Sequence, residues 1–171
     1  MWVEFVIEIT QDGSGFLLKT SMRLSHPIDE VFRFFADATN LERITPASLS
    51  FKVLTEGPIE MAEGTLIDYR LKVHGLPLKW RSEITCWDPP CRFVDEQRKG
   101  PYHYWIHEHR FEAEGDTTVV HDRVRYGVPG GRFVNRFFVS RDLRSIFTFR
   151  TQALKEHFAR QDNTNKLASH E

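Results

Sequence analysis

Hydrophobic and polar positions alternate along most of the first 128 residues, the period of a strand with one buried face. Val3, Phe5, Ile7 and Ile9 alternate with mostly polar neighbours, which suits an edge strand or an N-terminal extension over residues 1–15. Gln11-Asp12-Gly13-Ser14-Gly15 breaks that run, and Phe16 to Leu24 resumes it with Phe16, Leu18, Met22 and Leu24 on one face. Ser25-His26-Pro27 then marks a helix start. Ser25 or His26 stands at the cap, Pro27 suits the first turn, and Asp29 and Glu30 favour the positive helix end. Val31, Phe34 and Phe35 form its buried stripe, and a second short helix is expected near Leu41 to Ile44, before Pro46.

The middle of the chain reads as a meander. Strands are expected at Phe51–Leu54, Gly64–His74, Leu78–Trp87, Phe93–Arg98, Tyr102–Glu112 and Thr117–Val128. The separators are short turn signals: Gly75-Leu76-Pro77, Asp88-Pro89-Pro90, Lys99-Gly100-Pro101 and Glu114-Gly115-Asp116. Pro129-Gly130-Gly131 closes the series. From Arg132 to Gln161 there is no Gly or Pro, and apolar and basic positions recur at helical spacing. Six of the fourteen phenylalanines lie in that stretch, so one face of a long helix must rest on the sheet. A polar tail, expected to be disordered, follows from about 161 to 171.

Composition narrows the class. The chain has 171 residues, 40% hydrophobic and 27% charged, which is globular and of single-domain size. A net charge of −1 excludes a generally basic nucleic-acid binder. No apolar run reaches the length of a transmembrane helix, and the first residues lack the features of a secretory signal, so a cytoplasmic location is expected. Cys86 and Cys91 flank a turn and are expected to be reduced thiols.

The order of strand, two short helices, antiparallel strands and one long terminal helix resembles the helix-grip fold of the START-like, Bet v 1-like and polyketide-cyclase (SRPBCC) superfamily. Ser25-His26-Pro27-Ile28-Asp29-Glu30-Val31-Phe32 is similar to its opening into the first helix, and Leu41-Glu42-Arg43-Ile44-Thr45-Pro46 follows in place. The block Phe93–Tyr102, then Trp105–Phe111, then Asp122–Tyr126 resembles the uncharacterised bacterial cyclase/dehydrase-like branch. The resemblance covers residues 16–160. It implies an α+β domain with a curved antiparallel sheet wrapped around the C-terminal helix, and a cavity between them that takes a small apolar ligand, lipid-like or aromatic.

Strand parity selects the residues that can reach such a cavity. Tyr69, Trp80, Asp95, Gln97, Trp105, His109, Phe111 and Val124 are expected to face inward, joined by Phe137 and Phe149 from the helix. His107, Asp122 and Tyr126 are the candidate catalytic set, because an inward carboxylate among valines needs partners and a histidine beside it supplies one. The primary expectation is ligand binding. The alternatives are a cyclase/dehydratase using the His–Asp pair, and an interaction module using the basic helix, where Arg132, Arg136, Arg141, Arg144, Arg150, Lys155 and Arg160 are otherwise a solvated outer face. His107-x-His109 puts two imidazoles about 7 Å apart along one strand face. With Asp122 as third ligand this falls short of a convergent metal shell, and no metal or cofactor is expected.

Overall fold

The computed structural model describes residues 6–168, with side chains described as far as Gln161; the expected alternation at Val3 and Phe5 lies outside the described residues. Eight antiparallel strands form one curved sheet in the order β1-β2-β8-β7-β6-β5-β4-β3. They are β1 (Ile7–Asp12), β2 (Gly15–Leu24), β3 (Lys52–Val53), β4 (Leu66–Val73), β5 (Leu76–Asp88), β6 (Arg92–Lys99), β7 (Tyr104–Glu114) and β8 (Thr117–Gly127). Strands β3 to β8 are the expected meander. β2 pairs with β8, Thr20 opposite Asp122 and Leu18 opposite Val124, so first and last long strands meet. β1 is an edge strand, turned onto β2 at Gly13, whose φ of 58° a side chain would strain.

Between β2 and β3 the chain forms α1 (Ile28–Phe35) and two 3-10 turns, Ala38–Glu42 and Ala47–Leu49. The cap of α1 is Pro27 rather than Ser25 or His26, and no side chain bonds the free amides there. His26 is instead buried, its Nε2 3.2 Å from the Phe158 carbonyl, which ties the helix start to the far end of the chain. Asp37 caps the first 3-10 turn by accepting from the Thr39 amide.

The terminal helix is not one regular rod. A turn, α2 (Gly131–Val134), passes through a π-helical turn at Asn135–Val139 into α3 (Ser140–Ala168). Helix continues to Ala168, past the boundary expected near 161. The π turn rotates the helix face by its extra residue. Arg144 Nη1 donates to the Ile7 carbonyl at 2.6 Å and fixes α3 to the sheet edge.

The core is divided. One cluster joins Phe32, Phe34 and Phe35 of α1 to Ile67, Ile84, Phe93 and Phe111 of the sheet and to Leu154 and Phe158 of α3. A second joins Phe16, Leu18, Val124 and Tyr126 to Leu143 and Phe147. Leu143, Phe147, Leu154 and Phe158 recur at spacings of four, seven and four residues, the stripe that a helix buries. Burial of one such side chain contributes about 1.5–3 kcal/mol.

Trp87 breaks the parity of β5 for a visible reason. The β5–β6 register shifts between Ile84 and Cys86, so one extra residue turns Trp87 inward against Phe32 and Phe93. Cys86 turns outward with it, 3.2 Å from Arg92 Nη2, and both cysteines are free thiols.

Candidate functional site

Curvature holds β4–β7 away from α3, and the gap is a cavity of about 770 Å³, within the roughly 300–1,000 Å³ of small-molecule sites. Phe34, Phe35 and Leu41 close it from the α1 side, Tyr69, Trp80 and Trp105 from the sheet, and Leu143, Ile146 and Phe147 from α3. Trp80 and Trp105 meet edge to face with centroids 5.6 Å apart. On its sheet side this largely apolar wall carries a concentrated polar patch.

That patch is built by register. On β7, His107 stands opposite Asp95 of β6, and His109 stands opposite Asp122 of β8. The four side chains share the inner face of three neighbouring strands. His107 Nε2 is 2.8 Å from Asp122 Oδ1, and His109 Nδ1 lies 2.9 Å from the same oxygen. On their other side, His109 Nε2 is 3.1 Å and His107 Nδ1 3.8 Å from Asp95 Oδ2. The imidazoles are themselves 3.8 Å apart between centroids, and Phe93 stacks on His109 at 4.2 Å. Two histidines are thus held between an inner carboxylate, Asp122, and an outer one, Asp95, which reaches the cavity. Ser82 Oγ, 3.4 Å from Asp95 Oδ1, accepts from the Trp80 indole and extends the network along β5.

Burial and charge oppose each other here. His107, His109 and Asp122 are 5%, 3% and 2% exposed. Burial alone would neutralise Asp122 and Asp95, but the histidines hold both carboxyls below their ordinary range, Asp122 furthest. Burial and the neighbouring His109 push His107 down. Burial pushes His109 down too, yet its contacts with Asp122 and Asp95 outweigh this and raise it. Of the two imidazoles, His109 is thus the one pushed towards its protonated form and His107 the one pushed towards the neutral form. Arg150 of α3 also faces the patch and helps to lower both carboxyls.

The expected site residues divide by position. Tyr69, Trp80, Asp95, Trp105, His107 and His109 line the cavity. Asp122 does not reach it and supports the histidines from behind. Tyr126 is fully buried in the second core cluster, its hydroxyl donating to Asn135 Oδ1 at 3.0 Å, and burial pushes it up to about 12. Gln97 turns to the β6–β7 connection, where its Nε2 donates to the Tyr102 carbonyl. Phe111 and Val124 have the expected parity but are sealed in the core by α1 and by β2. Phe137 and Phe149 point to solvent, 55% and 42% exposed, because the π turn and the helix phase give the inner positions to Leu143, Ile146 and Phe147. Phe93, Phe147 and Arg150 line the cavity without having been selected from sequence. Parity alone could have found Phe93; the phase of α3 was needed for the others.

Asp95, His107 and His109 also offer three donor atoms within 4.8 Å of one another. Imidazole and carboxylate donors suit a divalent transition ion. The third ligand of this set is Asp95, not Asp122. The same atoms face each other as a hydrogen-bonded network, and the cation Arg150 faces them.

A curved antiparallel sheet gripping a long terminal helix defines a Bet v 1-like helix-grip fold. Residues 24–153 match the family "Polyketide cyclase / dehydrase and lipid transport", and the chain belongs to that family. The family supports ligand binding or cyclase roles in general. Its fold is similar to that of protein Ms6760 from Mycobacterium smegmatis, at 13% identity and a TM-score of 0.67, covering 92% of this chain and 99% of that one. It is also similar to ginseng major latex-like protein 151 from Panax ginseng, at 14% identity and a TM-score of 0.62, covering 85% and 99%. The Zhui aromatase/cyclase from Streptomyces sp. R1128 superposes with a TM-score of 0.66 at 15% identity, covering 85% and 94%. No curated protein matches significantly. Among the described residues no helix is long and apolar enough to cross a membrane.

Proposed function

We propose that the protein binds a small, largely apolar ligand between the sheet and α3, with its polar group directed at Asp95 and His109. The cavity carries this reading: about 770 Å³ walled largely by aromatic and aliphatic side chains, with the Asp95–His107–His109 network on its sheet side. Apolar surface removed from water supplies affinity at roughly 25 cal/mol per Å², and the patch orients the ligand. Native mass spectrometry of gently purified protein, with extraction of co-purified molecules, tests it together with titration of the neutral fluorophore N-phenyl-1-naphthylamine. Saturable binding that weakens in Tyr69→Ala and Trp105→Ala is expected. Unchanged affinity in both variants overturns the reading.

The pair His109–Asp95 favours a second reading, a cyclase or dehydratase acting on a carbonyl compound. Cyclisation needs a base to take a proton from carbon beside a carbonyl; dehydration needs an acid to protonate the departing hydroxyl. An imidazole nitrogen and a carboxylate oxygen 3.1 Å apart, both on the cavity wall, support either role. Asp122 then acts by fixing the imidazoles. Loss of water or ring closure in an extracted ligand, abolished in His109→Ala with binding retained, is the expected result. Full turnover in that variant excludes it.

A further inference from the structure

Arg150 occupies a position that an amphipathic helix normally gives to an apolar side chain. It lies on the inner stripe of α3, three residues from Phe147 and four from Leu154, and it is the only Arg or Lys among the residues lining the cavity. Its guanidinium lies over the rings of Phe35 and Phe147, 5.8 and 5.9 Å from their centroids. Its Nε is buried with no hydrogen-bond partner, and no described carboxylate oxygen lies within 4.0 Å of its nitrogens. A guanidinium is permanently charged and presents its donors as a planar fork matched to a carboxylate. Contact with two aromatic rings restrains the guanidinium, which reduces the ordering that a partner must cause.

Resting on the cavity reading above, we propose that the ligand is an apolar acid whose carboxylate pairs with Arg150, its hydrophobic body lying along Trp80 and Trp105. Its remaining polar group, where it has one, meets Asp95 and His109 on the sheet side. Arg150 and the His–Asp patch are then two anchors on opposite walls: one for fixed negative charge, the other for a neutral carbonyl or hydroxyl. A second carboxylate at the patch would meet Asp95, already ionised, and is disfavoured.

Displacement of N-phenyl-1-naphthylamine by matched acid and alcohol pairs tests this: dodecanoic acid against 1-dodecanol, and 2-naphthoic acid against 2-naphthalenemethanol, at pH 8. In the wild-type protein the acid of at least one pair should bind roughly tenfold tighter or more, the scale of one charge-assisted pair. Arg150→Met should abolish that preference, read as the ratio of acid to alcohol affinity within the variant, and Arg150→Lys should keep part of it. Equal affinity of acid and alcohol in the wild-type protein overturns the proposal. So does an undiminished preference in Arg150→Met, which would assign Arg150 to balancing the charge of Asp95 and Asp122. Absence of fluorophore binding in the wild-type protein instead fails the cavity reading, and this proposal with it.

Discussion

Asp122 shows how one buried charge organises its surroundings. It sits among valines on β8, opposite Thr20, and its Oδ2 has no hydrogen-bond partner among the described residues. The two imidazoles at its Oδ1 therefore carry its stabilisation. Replacing it should leave both histidines without their inner partner, and breaking a buried pair costs about 3–5 kcal/mol. Asp122→Asn is expected to lose stability on that scale at pH 7 in urea denaturation. The pH dependence follows from the direction of the shift. A carboxyl held below its unfolded value of about 3.9 stabilises the fold above that value and loses the contribution as pH falls towards the folded one. The gap between wild type and Asp122→Asn should therefore shrink below about pH 4; a constant gap would mean that Asp122 is not a folded-state anion. His109, raised, contributes stability that is full below the unfolded histidine value and lost as pH rises through the folded one. His107, lowered, does the opposite, contributing above the unfolded value and losing it as pH falls. Near neutrality the two slopes oppose each other, so His107→Gln and His109→Gln should tilt the stability–pH curve in opposite directions between about pH 5 and 8.

At the level of elements, the strands were legible because two-residue parity and Gly/Pro turns leave little freedom. Parity fails at Trp87, where a bulge in β5 turns the side chain inward. Parity selected His107, His109, Asp122 and Asp95 as inward, and register set Asp95 opposite His107 and Asp122 opposite His109. Parity does not say what covers a face. Val124 and Phe111 point inward as expected, yet β2 and α1 seal them from the cavity. Helix phase was the weaker signal. Aromatics and arginines occur on every side of residues 131–161, and the π turn shifts the phase within it, so Phe137 and Phe149 fall outside and Arg150 inside. Close approach at Gly15 was also hidden in the sequence. A Cβ there would stand 2.6 Å from the Tyr126 carbonyl and clash with the Tyr104 hydroxyl. Backbone on β8 cannot retreat without disturbing the β2 ladder, so Gly15→Ala should destabilise by about 1–3 kcal/mol, seen as a lowered midpoint in thermal unfolding. A midpoint equal to wild type would show that the β2–β8 edge is looser than its register implies.

The whole molecule is two apolar clusters joined by a sheet and separated by a cavity. One cluster holds α1 and the later turns of α3; the other holds β2, β8 and the first turns of α3. The cavity walls draw on both: Phe34, Phe35, Ile67, Tyr69, Ile84 and Phe93 from the first, Leu143 and Phe147 from the second. An apolar molecule seated there touches both clusters at once and restores contacts that each lacks on its inner side. It binds the folded chain alone, so it should stabilise by about 2.7 kcal/mol at a hundred times its dissociation constant. The location of that gain is more informative than its size. If the ligand bridges the clusters, amide exchange should slow both in α1 and in residues 143–154 of α3, as well as in β4 and β7. Trp105→Ala should reduce both effects together at equal ligand concentration, since Trp105 packs on Tyr126 of the second cluster and on Trp80, which packs against the first. Slowing confined to the exposed aromatics Phe133, Phe137 and Phe138 would place the ligand on the surface. Slowing in only one cluster would place it in a side pocket, and the sheet and helix would then grip nothing between them.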